Sequence, residues 1–275
     1  MRLFGHKLTF LAAVGVGIVA VNVFVALFAP LVAPYGQADI VGEAFGEPSW
    51  QFLLGTDNIG HDMLSRLIYG ARMSIGLSLV ITALSFGIGI VTGFTAAISG
   101  RWIDMVLCRF VDLMLSMPTL IFAFIVLSVL GTEIPVLVAT IAFLDSTRVF
   151  RLARAVAMNI TSLEFVEAAK LRGEGLWWVI TREVLPNAVP PLVAEFGLRF
   201  CFTFLFIAAL SFLGLGIQPP DADWGSMVKD LRIIILAGSA HPLYPAGAIA
   251  LLTIGVNFIV DWLLAIHSKG HGEGA

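Results

Sequence analysis

The chain has 275 residues, 59% of them hydrophobic and 13% charged, with a net charge of −3 and a mean hydropathy of +0.96. A soluble domain carries about 25% charged residues, so long charge-free runs at this composition describe a polytopic membrane protein rather than a soluble core. No basic stripe with interleaved aromatics occurs, which removes nucleic-acid binding, and Cys108 and Cys201 sit in apolar surroundings without metal-ligand spacing, as small unpaired core residues do.

Arg2 and Lys7 precede a charge-free run from Leu8 to Ala38. That run exceeds the roughly 7–15 residues of a signal-peptide core and has no small-residue cleavage site, so it reads as an uncleaved first span. At about 20 apolar residues per transmembrane helix, the expected spans are Leu8–Val32, Met73–Ile98, Val106–Leu130, Ile134–Phe150, Phe196–Ile217 and Pro245–Ile266, an all-α architecture of six transmembrane helices. The fourth is interrupted by Asp145 and Arg148, which are expected to pair. Within the second, Gly89-x-x-x-Gly93 permits close helix approach.

An even number of spans puts both termini on one side. With the N-terminus inside, Arg101, Arg109, Arg148, Arg151, Arg154, Lys170, Arg172, Arg182 and Lys269 join Arg2 and Lys7 in cytoplasmic segments. The outer segments hold Arg66, Arg72, Lys229 and Arg232 against Asp39, Glu43, Glu47, Asp57, Asp62, Glu133, Asp221, Asp223 and Asp230. Lys and Arg set orientation, so the N-terminus and C-terminus are both expected in the cytoplasm.

Three hydrophilic regions remain. In the first, Asp62–Arg72 has helical apolar spacing and is expected to lie along the outer membrane surface or to pack on the spans, as scaffold; His61 beside Asp57 and Asp62 reads as structural rather than as a metal ligand. The second, 151–194, is the large cytoplasmic loop of a single permease domain spanning 1–275, and 267–275 is read as a flexible cytoplasmic tail. Within the loop, Thr161-Ser162-Leu163-Glu164 has the form of a capping box, and Gly173 stands where a helix stops, which predicts about eleven helical residues between them. A second helical stretch is expected from Gly175 to just before Pro186. A helix this short is marginal alone and needs a surface to dock on. Ala168 and Ala169 remove bulk, and Phe165 is a candidate anchor. Spacing alone leaves docking on a partner and packing on the chain's own spans equally open.

No Gly-x-x-x-x-Gly-Lys-Ser/Thr phosphate loop and no nucleophile–base constellation occurs, so no catalytic residue and no metal site is expected in this chain.

Glu167-Ala168-Ala169, Gly173 and then Leu185-Pro186 resemble the EAA loop of permease subunits in binding-protein-dependent ABC importers, with matching spacing. Gly55-Thr56-Asp57-Asn58-Ile59-Gly60-His61-Asp62 with Ser65-Arg66 and Gly70-Ala71-Arg72 resembles a block of the oligopeptide/dipeptide/nickel branch, C-type subunit. So does Leu210-Ser211-Phe212-Leu213-Gly214-Leu215-Gly216 with Pro219-Pro220 and Trp224-Gly225, and Asn257 and Asp261 match the late N…D pair. The resemblance covers about Leu54 to Asp261. It implies the type I ABC importer permease fold in a bacterial inner membrane. It implies as partners a second, B-type permease, two ATPase subunits that carry ATP and Mg, and an external substrate-binding protein. The loop would then be a coupling helix seated on an ATPase, carried by Phe165, Glu167, Ala168, Ala169, Arg172, Gly173, Leu185 and Pro186. Short peptides are the leading substrate class. His61 replaces the branch's usual arginine, Glu183 stands where the branch often has histidine, and the tail lacks the branch's usual ending. The rival expectation is an ion-gradient-driven secondary transporter, which needs no ATPase; a receptor or membrane enzyme comes third.

Overall fold

The computed structural model describes residues 9–270 and, ahead of them, a two-residue antiparallel strand pair, β1 (Arg2–Leu3) with β2 (His6–Lys7). The expected start of the first span, Leu8, lies outside the described residues, as do residues 271–275 of the expected tail; the backbone before them is helical through Gly270.

The regular structure of the remainder is helical. Helix α1 (Phe10–Leu27) starts where the Thr9 hydroxyl accepts from the Ala12 amide, and the short α2 (Ala29–Val32) follows it. After an irregular segment, α3 (Met63–Ile98) starts at Asp62, whose carboxylate accepts from the Ser65 amide at 2.8 Å. It has 36 residues, about 54 Å at 1.5 Å per residue. The helix expected over Asp62–Arg72 is the first part of this element, packed on the spans rather than along the surface. Nothing between Arg72 and Met73 breaks the hydrogen-bond ladder, and Met63, Ser65, Arg66, Ile68, Gly70 and Ala71 are buried.

The expected third span is broken in two. Pro118 drives Met117 into extended backbone (φ −92°, ψ 138°), so α4 (Arg101–Ser116) and α5 (Thr119–Leu130) meet at a bend of 86°. Helix α6 (Ile134–Thr161) runs eleven residues past the expected end of the fourth span. Arg151 and Arg154, in that extension, reach Asp112 and Asp104 on α4, so two ion pairs hold α4 against it.

The short α7 (Glu164–Leu171) leads through a turn into α8 (Leu176–Trp178), a π-helical turn (Val179–Val184) and α9 (Leu185–Phe212). The expected stop before Pro186 does not occur. In the π turn the Leu185 amide bonds the Ile180 carbonyl five residues back, and Pro186 falls in the first turn of α9, a helix that also carries Pro190 and Pro191. The fifth span therefore begins about twenty residues earlier than expected, and most of 151–194 consists of the end of α6 and the start of the continuous α8–π–α9 helix. Helix α10 (Trp224–Leu231), a 3₁₀ turn (Arg232–Ala237) and α11 (Leu243–Gly270) complete the chain.

Glycines set the close crossings. A Cβ on Gly89 would stand 2.5 Å from Val149 Cβ, and one on Gly93 2.8 Å from the Phe150 carbonyl oxygen, so α3 and α6 touch backbone to side chain there. Gly15 and Gly255 do the same between α1 and α11, where an added Cβ at Gly15 would lie 2.6 Å from the Gly255 carbonyl. Three hydrophobic clusters stack along the bundle. One joins α1, α3, α9, α10 and α11 around Trp224; a middle one joins α3, α5, α6 and α9; the last joins α3, α6, α7, the π turn and α9.

Among the described residues four helices are long and apolar enough to cross a membrane: Phe10–Leu27, Met63–Ile98, Leu176–Phe212 and Leu243–Ile266. The bent α4–α5 pair makes a fifth if read as one span. The 28-residue α6 has the length but carries Asp145, Arg148, Arg151 and Arg154. The six-helix expectation thus rests on counting α6 despite its charges.

Gly93→Leu is expected to lower the melting temperature in detergent and the amount of protein in the membrane, because overpacking of this kind costs about 1–3 kcal/mol or more. Gly76→Leu, on the same helix with no atom within 4 Å of an added Cβ, is the matched control and is expected to behave as wild type.

Candidate functional site

Two of the sequence blocks meet at one end of the bundle. Gly60 takes φ +97°, and the Asp57 carboxylate accepts from the amides of Ile59, Gly60 and His61, each at 2.9 Å. Asp57 Oδ2 also lies 2.7 Å from His61 Nδ1 and 3.0 Å from Arg66 NH1. Asp57, His61 and Arg66 are all buried. Burial pushes the Asp57 carboxyl up, but the donors from Ile59 and His61 and the Arg66 charge outweigh it and hold the group below its ordinary 3.8. His61 therefore belongs to a structural knot, and among the described residues no three His, Cys, Asp or Glu side chains are placed to hold a metal ion.

The second block packs on the same region. Trp224 donates its ring N–H to the Leu67 carbonyl at 2.9 Å and its amide to Ser74 Oγ at 3.2 Å. Gly225 lies where a Cβ would meet the Ala208 carbonyl at 2.5 Å. Asp223 caps α10 through the amides of Gly225 and Ser226; burial raises its carboxyl pKa against those hydrogen bonds.

At the opposite end, the last turn of α6, α7 and the π turn form a compact bracket. The capping box is not made: Thr161 is the last residue of α6 and donates to the Met158 carbonyl, Ser162 donates to Asn159, and Leu163 occupies the N-cap without a side-chain bond. α6 is favourable enough to continue through Thr161, so α7 has 8 residues instead of about eleven. Its C-terminus is as expected. Gly173 adopts φ +81°, its amide bonds the Lys170 carbonyl, and the Glu174 amide bonds the Ala169 carbonyl. That is a Schellman closure, which needs a left-handed residue and so favours glycine.

The two faces of α7 differ sharply. Val166 and Ala169 are 0% exposed, and Val166 joins a cluster with Ala153, Ala157, Ile160, Val179, Ile180 and Val184. The opposite face leaves Phe165, Glu167, Ala168, Leu171 and Arg172 exposed, with Leu171 at 83% and the neighbouring Trp177 at 63%. Of the two alanines read as clearing room for a partner, Ala169 clears room for the chain's own α6 and π turn; only Ala168 faces outward. Leu185 and Pro186 lie one turn beyond the bracket, Leu185 packed against its cluster and Pro186 exposed. Glu183 belongs to the π turn, and its carbonyl accepts from Asn187 Nδ2 at 2.6 Å.

A further polar cluster lies inside the bundle. Asp145 is buried. Its Oδ1 is 3.6 Å from Arg199 NH1 and 3.8 Å from Arg148 NH1, and its Oδ2 accepts from Ser85 Oγ at 3.3 Å. Arg199 donates to Glu195 at 2.6 Å. The Glu195-x-x-x-Arg199 spacing is legible on a helix, but the approach of Arg199 to Asp145 joins α9 to α6 and has no local signature. The sequence reading pairs Asp145 with Arg148; the shorter ion pair is with Arg199.

Over residues 85–271 the chain matches the family described as binding-protein-dependent transport system inner membrane component. The chain belongs to this family. It is 35% identical over 259 residues to a dipeptide transport system permease protein DppC of Alkalihalophilus pseudofirmus, covering 92% of this chain and 84% of that protein. It is 37% identical to a di/tripeptide transport system permease protein DppC of Pseudomonas aeruginosa, covering 88% and 82%. To the dipeptide transport system permease protein DppC of Escherichia coli K12 it is 33% identical, covering 92% and 86%. The chain is thus a membrane-embedded permease subunit of an ATP-driven importer and not an enzyme; ATP hydrolysis belongs to separate ATPase subunits. The gradient-driven rival is not favoured.

The Asp57 knot in this permease gives a pH prediction. A carboxyl whose folded pKa lies below its ordinary 3.8 stabilises the fold fully above that value, and the contribution is lost as pH falls through the lower, folded pKa. Asp57→Asn is expected to melt at a lower temperature than wild type at pH 7, with the gap closing as pH is lowered past 3.8; a gap independent of pH would contradict the assignment.

Proposed function

We propose that this permease subunit forms half of a translocation pore for short peptides, and that α7 with its flanking turn is the surface through which an ATPase subunit drives it. The assembly comprises a second, B-type permease, two ATPase subunits that bind ATP and Mg, and an external substrate-binding protein that delivers the solute. The substrate class follows the dipeptide and di/tripeptide transporters to which the chain is similar.

The observation that carries the coupling role is the division of α7 into a face with Val166 and Ala169 fully enclosed and a face with Phe165, Ala168 and Leu171 in the open. An isolated helix of this length is unstable in water; here the inner face supplies its stability and leaves the outer face free to be covered. Val166 shares one hydrophobic cluster with residues of α3, α6, the π turn and α9. Force on the outer face therefore reaches several long helices at once. Closure of the ATPases would shift the bracket as a body and rock the spans between outward-open and inward-open arrangements. Phe165, Glu167, Ala168 and Arg172 make the contact. Ala169, Gly173, Leu185 and Pro186 hold the bracket in shape.

Six spans complete this reading: α1, α3, the bent α4–α5 pair, α6, the continuous α8–π–α9 helix and α11. Both termini are cytoplasmic, as the Lys and Arg distribution favours, and the protein resides in the bacterial inner membrane. Three of the charges of α6 that weaken it as a span, Asp145, Arg151 and Arg154, are held by Ser85, Arg199, Asp112 and Asp104 on neighbouring helices rather than offered to lipid, while Arg148 reaches Thr119 on α5.

Ala168→Arg tests the coupling surface, because Ala168 is exposed and the change leaves the inner face intact. ATP-driven uptake of labelled dipeptide is expected to fall at least about tenfold while the amount of permease in the membrane stays the same. Wild-type uptake in this variant would end the coupling assignment. Ala169→Arg is expected to act differently, lowering the melting temperature of the permease itself, since Ala169 is 0% exposed.

A further inference from the structure

A cavity of about 130 Å³ opens between α5, α6 and α9, lined by Thr119, Asp145, Arg148, Phe202, Thr203 and Phe206 among others. Asp145 and Arg148 fall inside the expected fourth span, Ile134–Phe150, toward its cytoplasmic end, so the cavity lies in the inner half of the membrane-spanning part of the bundle. Three features set it apart from ordinary helix packing.

The first is an under-compensated cation. Arg148 donates to Thr119 Oγ1 at 3.0 Å, a neutral partner, and is 3.8 Å from Asp145, beyond hydrogen-bond reach. Asp145 is closer to Arg199. A guanidinium has five donors, and most of those on Arg148 have no acceptor among the described residues.

The second is exposure. The Arg148 side chain is 40% exposed and its neighbour Phe202 58%. A charged side chain facing lipid within a span is costly, and such residues face a water-filled path or another subunit. The third is Thr203. Its residue is 2% exposed, yet its hydroxyl has no hydrogen-bond partner among the described residues. Thr82, Thr92, Thr95, Thr147, Thr181 and Thr253 all donate back to a carbonyl of their own helix, the usual way to satisfy such a group. Thr203 stands beside the cavity with that option unused.

We propose that this cavity is a solute contact on the translocation path and that it takes the terminal carboxylate of a short peptide. Arg148 supplies the charge-assisted donors, Thr119 holds the guanidinium, and Thr203 donates its hydroxyl as the second contact. Ligand pockets for a whole small molecule run to about 300–1,000 Å³, so this volume admits one end of a peptide, with the remainder in the open path. Asp145, tied to Arg199 and Ser85, keeps the site from becoming a deep anion trap. The contact is weak enough to be left, as a path requires. The inference rests on the peptide-importer reading given above.

The test uses the whole importer, purified through a tag on this chain with the subunits that accompany it, reconstituted in ATP-loaded proteoliposomes and supplied with its external binding protein. The probe is radiolabelled alanyl-alanine. Arg148→Gln is expected to cut uptake at least about tenfold, as loss of a charge-assisted contact does. Arg148→Lys, which keeps the charge, is expected to recover most of it. The double variant Asp145→Asn/Arg148→Gln separates binding from mere ion pairing: it is expected to stay defective, whereas return to wild-type uptake would overturn the proposal. Arg148→Gln with wild-type uptake would overturn it too. If Arg148→Gln fails to retain its ATPase subunits, the decision passes to Thr203→Val, which removes an unpartnered hydroxyl at constant shape. A drop of about threefold or more is expected, and unchanged uptake overturns the proposal. Failure of the wild-type importer to accumulate the dipeptide would instead refute the peptide-importer reading.

Discussion

The crossing of α3 and α6 is the contact on which the rest of this permease depends. Gly89 and Gly93 let the two backbones approach until Val149, Phe150 and Ala153 fill the space a side chain would need. In a bilayer no hydrophobic driving force pushes helices together, so small residues and close van der Waals contact set which helices pair. One turn from the crossing in one direction, Ser85 meets Asp145, and the polar cluster begins. In the other direction, Ala157 and Ile160 extend the same seam to Val166 and seat α7. A single register thus places both the polar cavity and the bracket.

The bracket shows how one short helix is stabilised from inside while its outer face stays available. Val166 and Ala169 turn inward, Gly173 closes the end, and the π turn carries the chain past Pro186 into the long α9 without a break. The π turn matters mechanically. A break at Pro186 would leave a hinge between α7 and the spans; a continuous Leu176–Phe212 helix transmits displacement along its length.

The end bearing the Asp57 knot adds hydrogen bonds and a buried ion pair to close glycine contacts such as Gly225 on Ala208. Asp57, His61 and Arg66 tie the segment before α3 to the helix itself, and Trp224 brings α10 down onto α3 through Leu67 and Ser74. Two blocks far apart in the chain, Gly55–Arg72 and Leu210–Gly225, are therefore one assembly. His61 fills its place in that assembly as a partner of Asp57 and Arg66.

The permease reading came from the resemblance of several sequence blocks to a known family, whereas composition and charge-free runs determined on their own that the chain is helical and membrane-embedded, and spacing that Gly173 ends a short helix. Those are properties of local chemistry: hydrocarbon length, a left-handed turn, a fixed interval between residues. Two helix boundaries were not legible, because Thr161 and Pro186, both read as boundary signals, were overridden by packing of the seam and by a helix that runs on through the π turn. The direction faced by Ala169 was not legible either, since a small residue serves equally to admit a partner or to approach its own chain. Only the tertiary structure decided these, and only it joined Asp145 of α6 to Arg199 of α9. Contacts between distant helices are fixed by how the helices cross, which no interval along the chain records.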